Sequence, residues 1–237
     1  VLFRSGIYSM AKWLLDPGHG GADSGATYKE RRECDDVLRL ALRVGEALKK
    51  NGENVYYTRV TDDTISLSDR SNKENSGNYD YFVSIHRNAY QPEVAKGIET
   101  HIYAVGGTAE QLANRVNEEV VKNGFVNRGV KVSNFHVLRE TKCPAILLEV
   151  GFIDNTSDNS LFESNFEKIV QSIVKGCLLQ IGKEISDINN SKSDEVYYRC
   201  VVGSFKERVN AENRKAELIA KGYKDTFIEK IGRASCR

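Results

Sequence analysis

Four ionisable side chains stand where this sequence can do chemistry: His19, Glu33, His86 and Glu149. His19 lies in "LLDPGHGGADSGA", Leu14 to Ala26, where an apolar strand runs into a turn crowded with glycine. A turn calls for Gly and Pro but has no need of an imidazole: either the ring is decoration on a tight loop, or the loop exists to present it. His86 ends the apolar run of "YDYFVSIHRNA", and Glu149 follows four apolar residues in "PAILLEVGF". In open α/β sheets, sites form at the carboxyl ends of strands. Glu33 opens the first long helix, just after the His19 loop. Two imidazoles and one carboxylate make the donor set that holds a catalytic zinc ion and leaves a fourth position for water. Their spacing is not that of a helical HExxH pair, so only the fold can bring them together.

Each residue also has a plainer role. A strand-end histidine can simply hydrogen-bond a neighbouring loop, and an acidic residue in a first helical turn is favoured by the helix dipole. Glu149 is harder to explain that way, because a carboxylate beside "AILL" is costly unless paired or hydrogen-bonded. His101, placed early in its strand, and His136 are read as non-ligands, with His136 the first choice for a spare metal or substrate contact. The glycine turn lacks the GK[ST] of a P-loop, and "PGHGG" is not GxGxxG, which argues against a phosphate cradle.

The elements that must position these residues alternate from Lys12 to Gly182. "KWLLD", "ENVYYTRV", "YDYFVSIH", "GIETHIYAV" and "PAILLEVGF" read as strands. Cys34 to Asn51 carries Val37, Leu38, Leu40, Ala41, Val44, Ala47 and Leu48 at helical spacing. "GTAEQLANRVNEEVVKNG" is a second helix, with Thr108 as its cap and Gly124 as its stop, and "SDNSLFESNFEKIVQSIVKGCLLQIG" is one last helix. The expected fold class is α/β, of the phosphorylase/hydrolase-like kind: a mainly parallel or mixed twisted sheet covered by helices on both faces. A polar linker over 184–195 then leads to a strand, a helix and a strand over 196–231, part of a small βαβ-type α+β domain. The segments 1–9 and 232–237 resemble translated sequencing adapters, which makes Met10 the expected start, with no secretory leader before the first strand.

Composition narrows the function classes. The 237 residues are 40% hydrophobic and 28% charged, with a formal net charge of +1, as in an ordinary soluble protein with one sizeable core. That balance offers no bulk attraction to nucleic acid or membrane, and no apolar run approaches the roughly 18 residues of a membrane span. The five cysteines show no CxxC, so free thiols in a reducing cytosol are expected rather than a zinc knuckle or disulfide framework.

Together, "LLDPGHGGADSGA", Glu33 followed by "VLRLAL", "LSDRSNKENSGNYDYFVSIHRNA", "GIETHIY" and "PAILLEVGFIDN" resemble, in that order, the zinc-dependent N-acetylmuramoyl-L-alanine amidases of the Amidase_3 type. The resemblance covers about Lys12 to Gly182, within an expected catalytic domain over 10–183. It implies zinc ligands at His19, Glu33 and His86, a catalytic glutamate at Glu149, and hydrolysis of the amide joining N-acetylmuramic acid to L-alanine in peptidoglycan. Glu30 stands close enough to be mistaken for the ligand, but the helical register favours Glu33. Arg87 and Glu74 depart from the family pattern and are expected to tune substrate contacts. Arg87 and Asn88 are the candidate substrate donors. The second unit, "YYRCVVGSFKERVNAENRKAELIAKGY", resembles a SPOR domain, a module that binds glycan strands. It lacks the aromatic consensus of RNA-binding modules. The expected partner is therefore peptidoglycan, without nucleic acid or membrane insertion, for a monomeric protein. The expected setting is a phage endolysin or bacterial autolysin reaching the wall after release by a pore or lysis. Two rival readings are a wall-binding protein whose hydrolase domain has lost activity, and a zinc hydrolase of some other amide.

Overall fold

Every residue of the first strand after Lys12 is buried, as expected for a strand covered on both faces. The computed structural model describes residues 10–183 and 208–221. In chain order the elements are β1 (Lys12–Pro17), a small hairpin of β2 (Thr27–Tyr28) and β3 (Arg31–Arg32), α1 (Glu33–Lys50), β4 (Asn54–Tyr57), α2 (Leu67–Gly77), β5 (Tyr81–Asn88) and β6 (Ile98–Ile102). They continue through α3 (Thr108–Val121), β7 (Asn127–Val132), α4 (His136–Arg139), β8 (Ala145–Phe152), α5 (Thr156–Ser164) and α6 (Phe166–Gln180). Six strands form one sheet in the order β4-β1-β5-β8-β6-β7. All neighbours run parallel except β6 and β8, which are antiparallel.

The fold is therefore the mixed, mainly parallel α/β sheet that the sequence predicts. Alternation along the strands separates two apolar layers. Leu15, Val83, Ile85 and Leu148 face the larger one, with buried residues of α1, α3 and α6. Leu14, Phe82 and Leu147 face the smaller one, closed by Val137 and Leu138 of α4. On α1, Val37, Leu40, Ala41, Val44 and Leu48 form the buried stripe, at the spacing of an amphipathic helix.

Several details differ from expectation. The last helix is two, because Asn165 leaves helical geometry at φ −113° and its side-chain amide donates to the Asn123 carbonyl (3.1 Å). Gly107, not Thr108, occupies the cap of α3. The polar helix α2, the strand β7 and the short α4 were not anticipated. Among the described residues, Cys34, Cys143 and Cys177 are free, and no helix is long and apolar enough to cross a membrane.

The chain divides into a unit over Val1–Ile188 and a second over Asn189–Arg237. Of the second, the described part is one helix, α7 (Arg208–Ala220). The expected linker, the strands flanking that helix, both adapter-like ends, Cys200 and Cys236 lie outside the described residues.

One buried polar cluster interrupts the smaller layer. Asp16 accepts from Arg70 Nη1 (2.6 Å), Thr58 Oγ1 (2.6 Å) and Ser84 Oγ (2.7 Å). Arg70→Met would leave the Asp16 charge inside the protein without its cation. A loss of about 3–5 kcal/mol in unfolding free energy is expected, measured by urea denaturation. A change under about 1 kcal/mol would mean the pair does not hold this region together.

Candidate active site

The turn after β1 is fixed through its carbonyl oxygens. Arg59 donates to the carbonyls of Pro17 (3.1 Å), Gly18 (2.7 Å) and Cys34 (2.9 Å). Arg70 donates to those of Pro17 (2.8 Å) and His19 (2.7 Å). With its carbonyl pinned, His19 adopts φ +56°, a left-handed conformation that side-chain-bearing residues seldom take. The glycines serve close approach. A Cβ on Gly18 would overlap the His86 ring, and one on Gly25 would lie 2.6 Å from His19 Cδ2 and 2.7 Å from Glu33 Oε2.

Glu33, at the first position of α1, is the hub. Its Oε1 lies 3.2 Å from His19 Nε2 and 2.9 Å from His86 Nδ1. Backbone N–H groups of Arg87 (to Oε1, 3.0 Å) and Ala26 (to Oε2, 2.9 Å) hold the carboxylate in place. Behind His19, Nδ1 lies 2.8 Å from Asp23 Oδ2, which fixes the ring and turns Nε2 toward Glu33. One ligand atom from each of His19, Glu33 and His86 lies within 4.8 Å of the others. Bonds of about 2.0–2.2 Å to a tetrahedral metal would hold donors roughly 3.3 Å apart, close to the separations of Glu33 Oε1 from His19 Nε2 and His86 Nδ1, so the donor set suits a small divalent cation. Glu30 is exposed and outside the group, as the helical register indicated.

Electrostatics follow this geometry. Burial alone would depress the His19 pKa, but Glu33 and Asp23 outweigh it and raise the imidazole to about 9. His86 is likewise raised against burial, chiefly by its hydrogen bond to Glu33. Burial works to raise Glu33, yet the two imidazoles hold it well below the usual carboxylate range. Glu149 behaves oppositely. It pairs in register with His86 across β5 and β8, so both side chains share one face. Burial pushes it up to about 7, reinforced by the nearby Glu33 and Glu99. Its Oε2 is shielded from solvent and has no hydrogen-bond partner among the described residues.

Other expectations need correction. Arg87, expected to meet substrate, does not face the donor cluster. As the neighbour of His86 on a strand it points to the opposite face, fully buried, bonded to Asp36 (2.6 Å) and Asn159 (2.7 Å). Glu74 does not face substrate either: buried, it accepts from the backbone of Lys142 (2.8 Å) and Cys143 (3.1 Å) and braces the entry to β8. His101 stands near the carboxyl end of β6, not early in it, and bonds Ser133 and Glu99. His136 bonds Ser71 across α2 and α4. Neither belongs to the donor cluster. Asn88 turns its amide to Glu99 (2.9 Å).

The sequence profile of the N-acetylmuramoyl-L-alanine amidases, Amidase_3, matches residues 14–178. The chain belongs to this amidase family. It is 38% identical over 218 residues to the amidase CwlM of Bacillus licheniformis, covering 90% of this chain and 83% of that one. It is 36% identical to the sporulation-specific N-acetylmuramoyl-L-alanine amidase of Bacillus subtilis, over 93% and 86% of the two chains. Among solved structures, an N-acetylmuramoyl-L-alanine amidase of Clostridium difficile 630 superposes with a TM-score of 0.70 at 34% identity, covering 74% of this chain and 98% of the other. The catalytic domain of the amidase CwlV from Bacillus (Paenibacillus) polymyxa gives 0.69 at 31%, covering 74% and 100%.

Three residues of this amidase-family site escaped the sequence reading: Asp23, Arg59 and Arg70. Asp23 had a usable signal, four residues after His19 in a tight turn. The arginines had none, since the turn carbonyls they hold, and the Asp16 carboxylate that Arg70 pairs with, lie far away in sequence. The contact of Gly18 with the His86 ring yields a direct test. Gly18→Ala is expected to weaken divalent-metal binding by roughly tenfold or more, read by calorimetric titration. Unchanged affinity would show that the ring has room to move.

Proposed function

We propose that this amidase-family chain is a zinc-dependent N-acetylmuramoyl-L-alanine amidase, cleaving the amide between the lactyl group of N-acetylmuramic acid and L-alanine in peptidoglycan. His19, Glu33 and His86 hold the Zn2+, and Glu149 is the catalytic acid and base. The observation that carries this reading is the three-donor cluster with an unpartnered, raised-pKa carboxylate in register on the adjoining strand. Two imidazoles and a carboxylate suit zinc over hard cations such as magnesium or calcium.

Bound there, zinc supplies Lewis acidity, polarising a carbonyl and bringing the pKa of a water to about 7. The protein's own residues do the rest. Asp23 keeps the His19 proton on Nδ1, leaving the Nε2 lone pair for the metal. Glu149, with its pKa near 7, takes a proton from the attacking water and returns it to the departing alanine nitrogen. Asn88, on the site face beside Glu99, is a candidate substrate contact. In this reading residues 10–183 form the catalytic domain, and the SPOR-like unit over 196–231 holds the enzyme on glycan. Likeness to a relative named as sporulation-specific favours a bacterial autolysin over a phage endolysin.

Incubation with purified peptidoglycan is expected to release free amino groups without new reducing sugars. Reducing sugars, or no release at all, would overturn the assignment, the second outcome favouring an inactive wall-binding protein. Glu149→Gln is expected to keep one zinc per chain while hydrolysis falls at least about a hundredfold. Full activity in that variant would remove Glu149 from its role. His19→Ala is expected to lose zinc by elemental analysis. Because His19 titrates near 9, it carries a proton at pH 7.5 that a metal ligand must shed. Zinc binding should therefore release protons, with apparent affinity rising with pH up to about 9. Calorimetry in buffers of different ionisation enthalpy reads this, and binding without proton release would count against the imidazole donors.

A further inference from the structure

One charged cluster on the site face contains two cations that have no part in the chemistry above. Glu99 lies directly opposite Glu149 in the β6–β8 ladder and is buried. Its Oε1 accepts from Asn88 Nδ2 and faces His101 Nε2 (3.2 Å). Its Oε2 gathers two cations, Arg128 Nε (2.6 Å) and Lys131 Nζ (2.5 Å). Together they bring Glu99 down to about 2 although burial acts to raise it, so it stays ionised.

Arg128 and Lys131 both come from β7, three residues apart, and in a regular strand they would project to opposite faces. The ladder prevents that. Ile98 pairs with Asn127 and Thr100 with Val130, so β7 spends an extra residue there, with Gly129 at φ +79°. This bulge turns Arg128 onto the face that Lys131 already occupies. One cation would neutralise Glu99, and the fold supplies two. Their side chains are 34% and 40% exposed, so the surplus positive charge reaches solvent. Among the described residues the Nη groups of Arg128 have no hydrogen-bond partner. A guanidinium fork beside an ammonium group is an arrangement that binds carboxylate.

We propose that Arg128 and Lys131, gathered on Glu99 beside Glu149, form a subsite for a carboxylate on the peptide side of the scissile amide. The amidase thereby selects acidic stem peptides over those whose carboxylate is amidated. The inference rests on the amidase reading, in which Glu149 protonates the departing amine and so marks the side from which the peptide leaves. Glu99 and its cations continue from Glu149 toward the β7 edge of the sheet.

The test uses the full zinc-loaded chain and two synthetic N-acetylmuramoyl peptides, differing only in a free carboxylate or a carboxamide on the residue after alanine. The wild-type ratio of kcat/KM, carboxylate over carboxamide, is expected to be roughly tenfold or more. In the double variant Arg128→Gln, Lys131→Gln it should fall toward one, and Lys131→Arg should retain it. Each preparation is read on both substrates, so loss of folded protein cancels in the ratio. A wild-type ratio near one, or a ratio unchanged in the double variant, would overturn the subsite and show that the cations only neutralise Glu99. Failure of the wild type to cleave either peptide would instead overturn the amidase reading, and the subsite with it.

Discussion

Two buried guanidinium groups hold the turn on which the site is built. A backbone that leaves a sheet into a tight bend must satisfy its carbonyl groups or leave the interior. Here Arg59 and Arg70 satisfy the carbonyls of Pro17, Gly18 and His19 from within the protein. Asp16 supplies the countercharge for Arg70, and Thr58 and Ser84 complete its shell. The carbonyls face inward, and the imidazole of His19 is left to meet Glu33. The strain of a non-glycine residue at φ +56° is sustained because its surroundings leave no alternative.

From this anchor the rest of the site is a matter of strand register. His86 and Glu149 are neighbours across one parallel ladder, and Glu149 and Glu99 across an antiparallel one. Three ionisable side chains thus lie in a row over the sheet, each in a different electrostatic environment. The His86 pKa is raised by Glu33 against burial, Glu149 is lifted by desolvation, and Glu99 is held ionised by its cations. Carboxylates separated in this way can take different tasks within one site.

Much of this was legible in the sequence because strands that end in chemistry are conspicuous. Apolar runs reaching His19, His86 and Glu149 located the site-bearing strands, and the helical stripe favoured Glu33 over Glu30. What failed did so for physical reasons. Helix α2 has few apolar residues, since its inward positions are the polar Arg70, Ser71 and Glu74, and periodicity cannot see such a helix. The inward turn of Arg87 was implicit in its position next to His86 on a strand, although its motif neighbours drew it toward the site. The break at Asn165 depends on a carbonyl from the turn after α3, a contact no local pattern contains.

The bulge in β7 has a second effect, on how the molecule meets copies of itself. Among the described residues β7 ends the sheet, and a flat terminal strand offers unpaired amide and carbonyl groups to any passing chain. Gly129 and the slipped register kink this border, and Lys131 adds a charge that a docking strand would have to desolvate. The distortion that brings two cations together therefore also breaks the straight template that a neighbouring strand would need to lengthen the sheet at this edge.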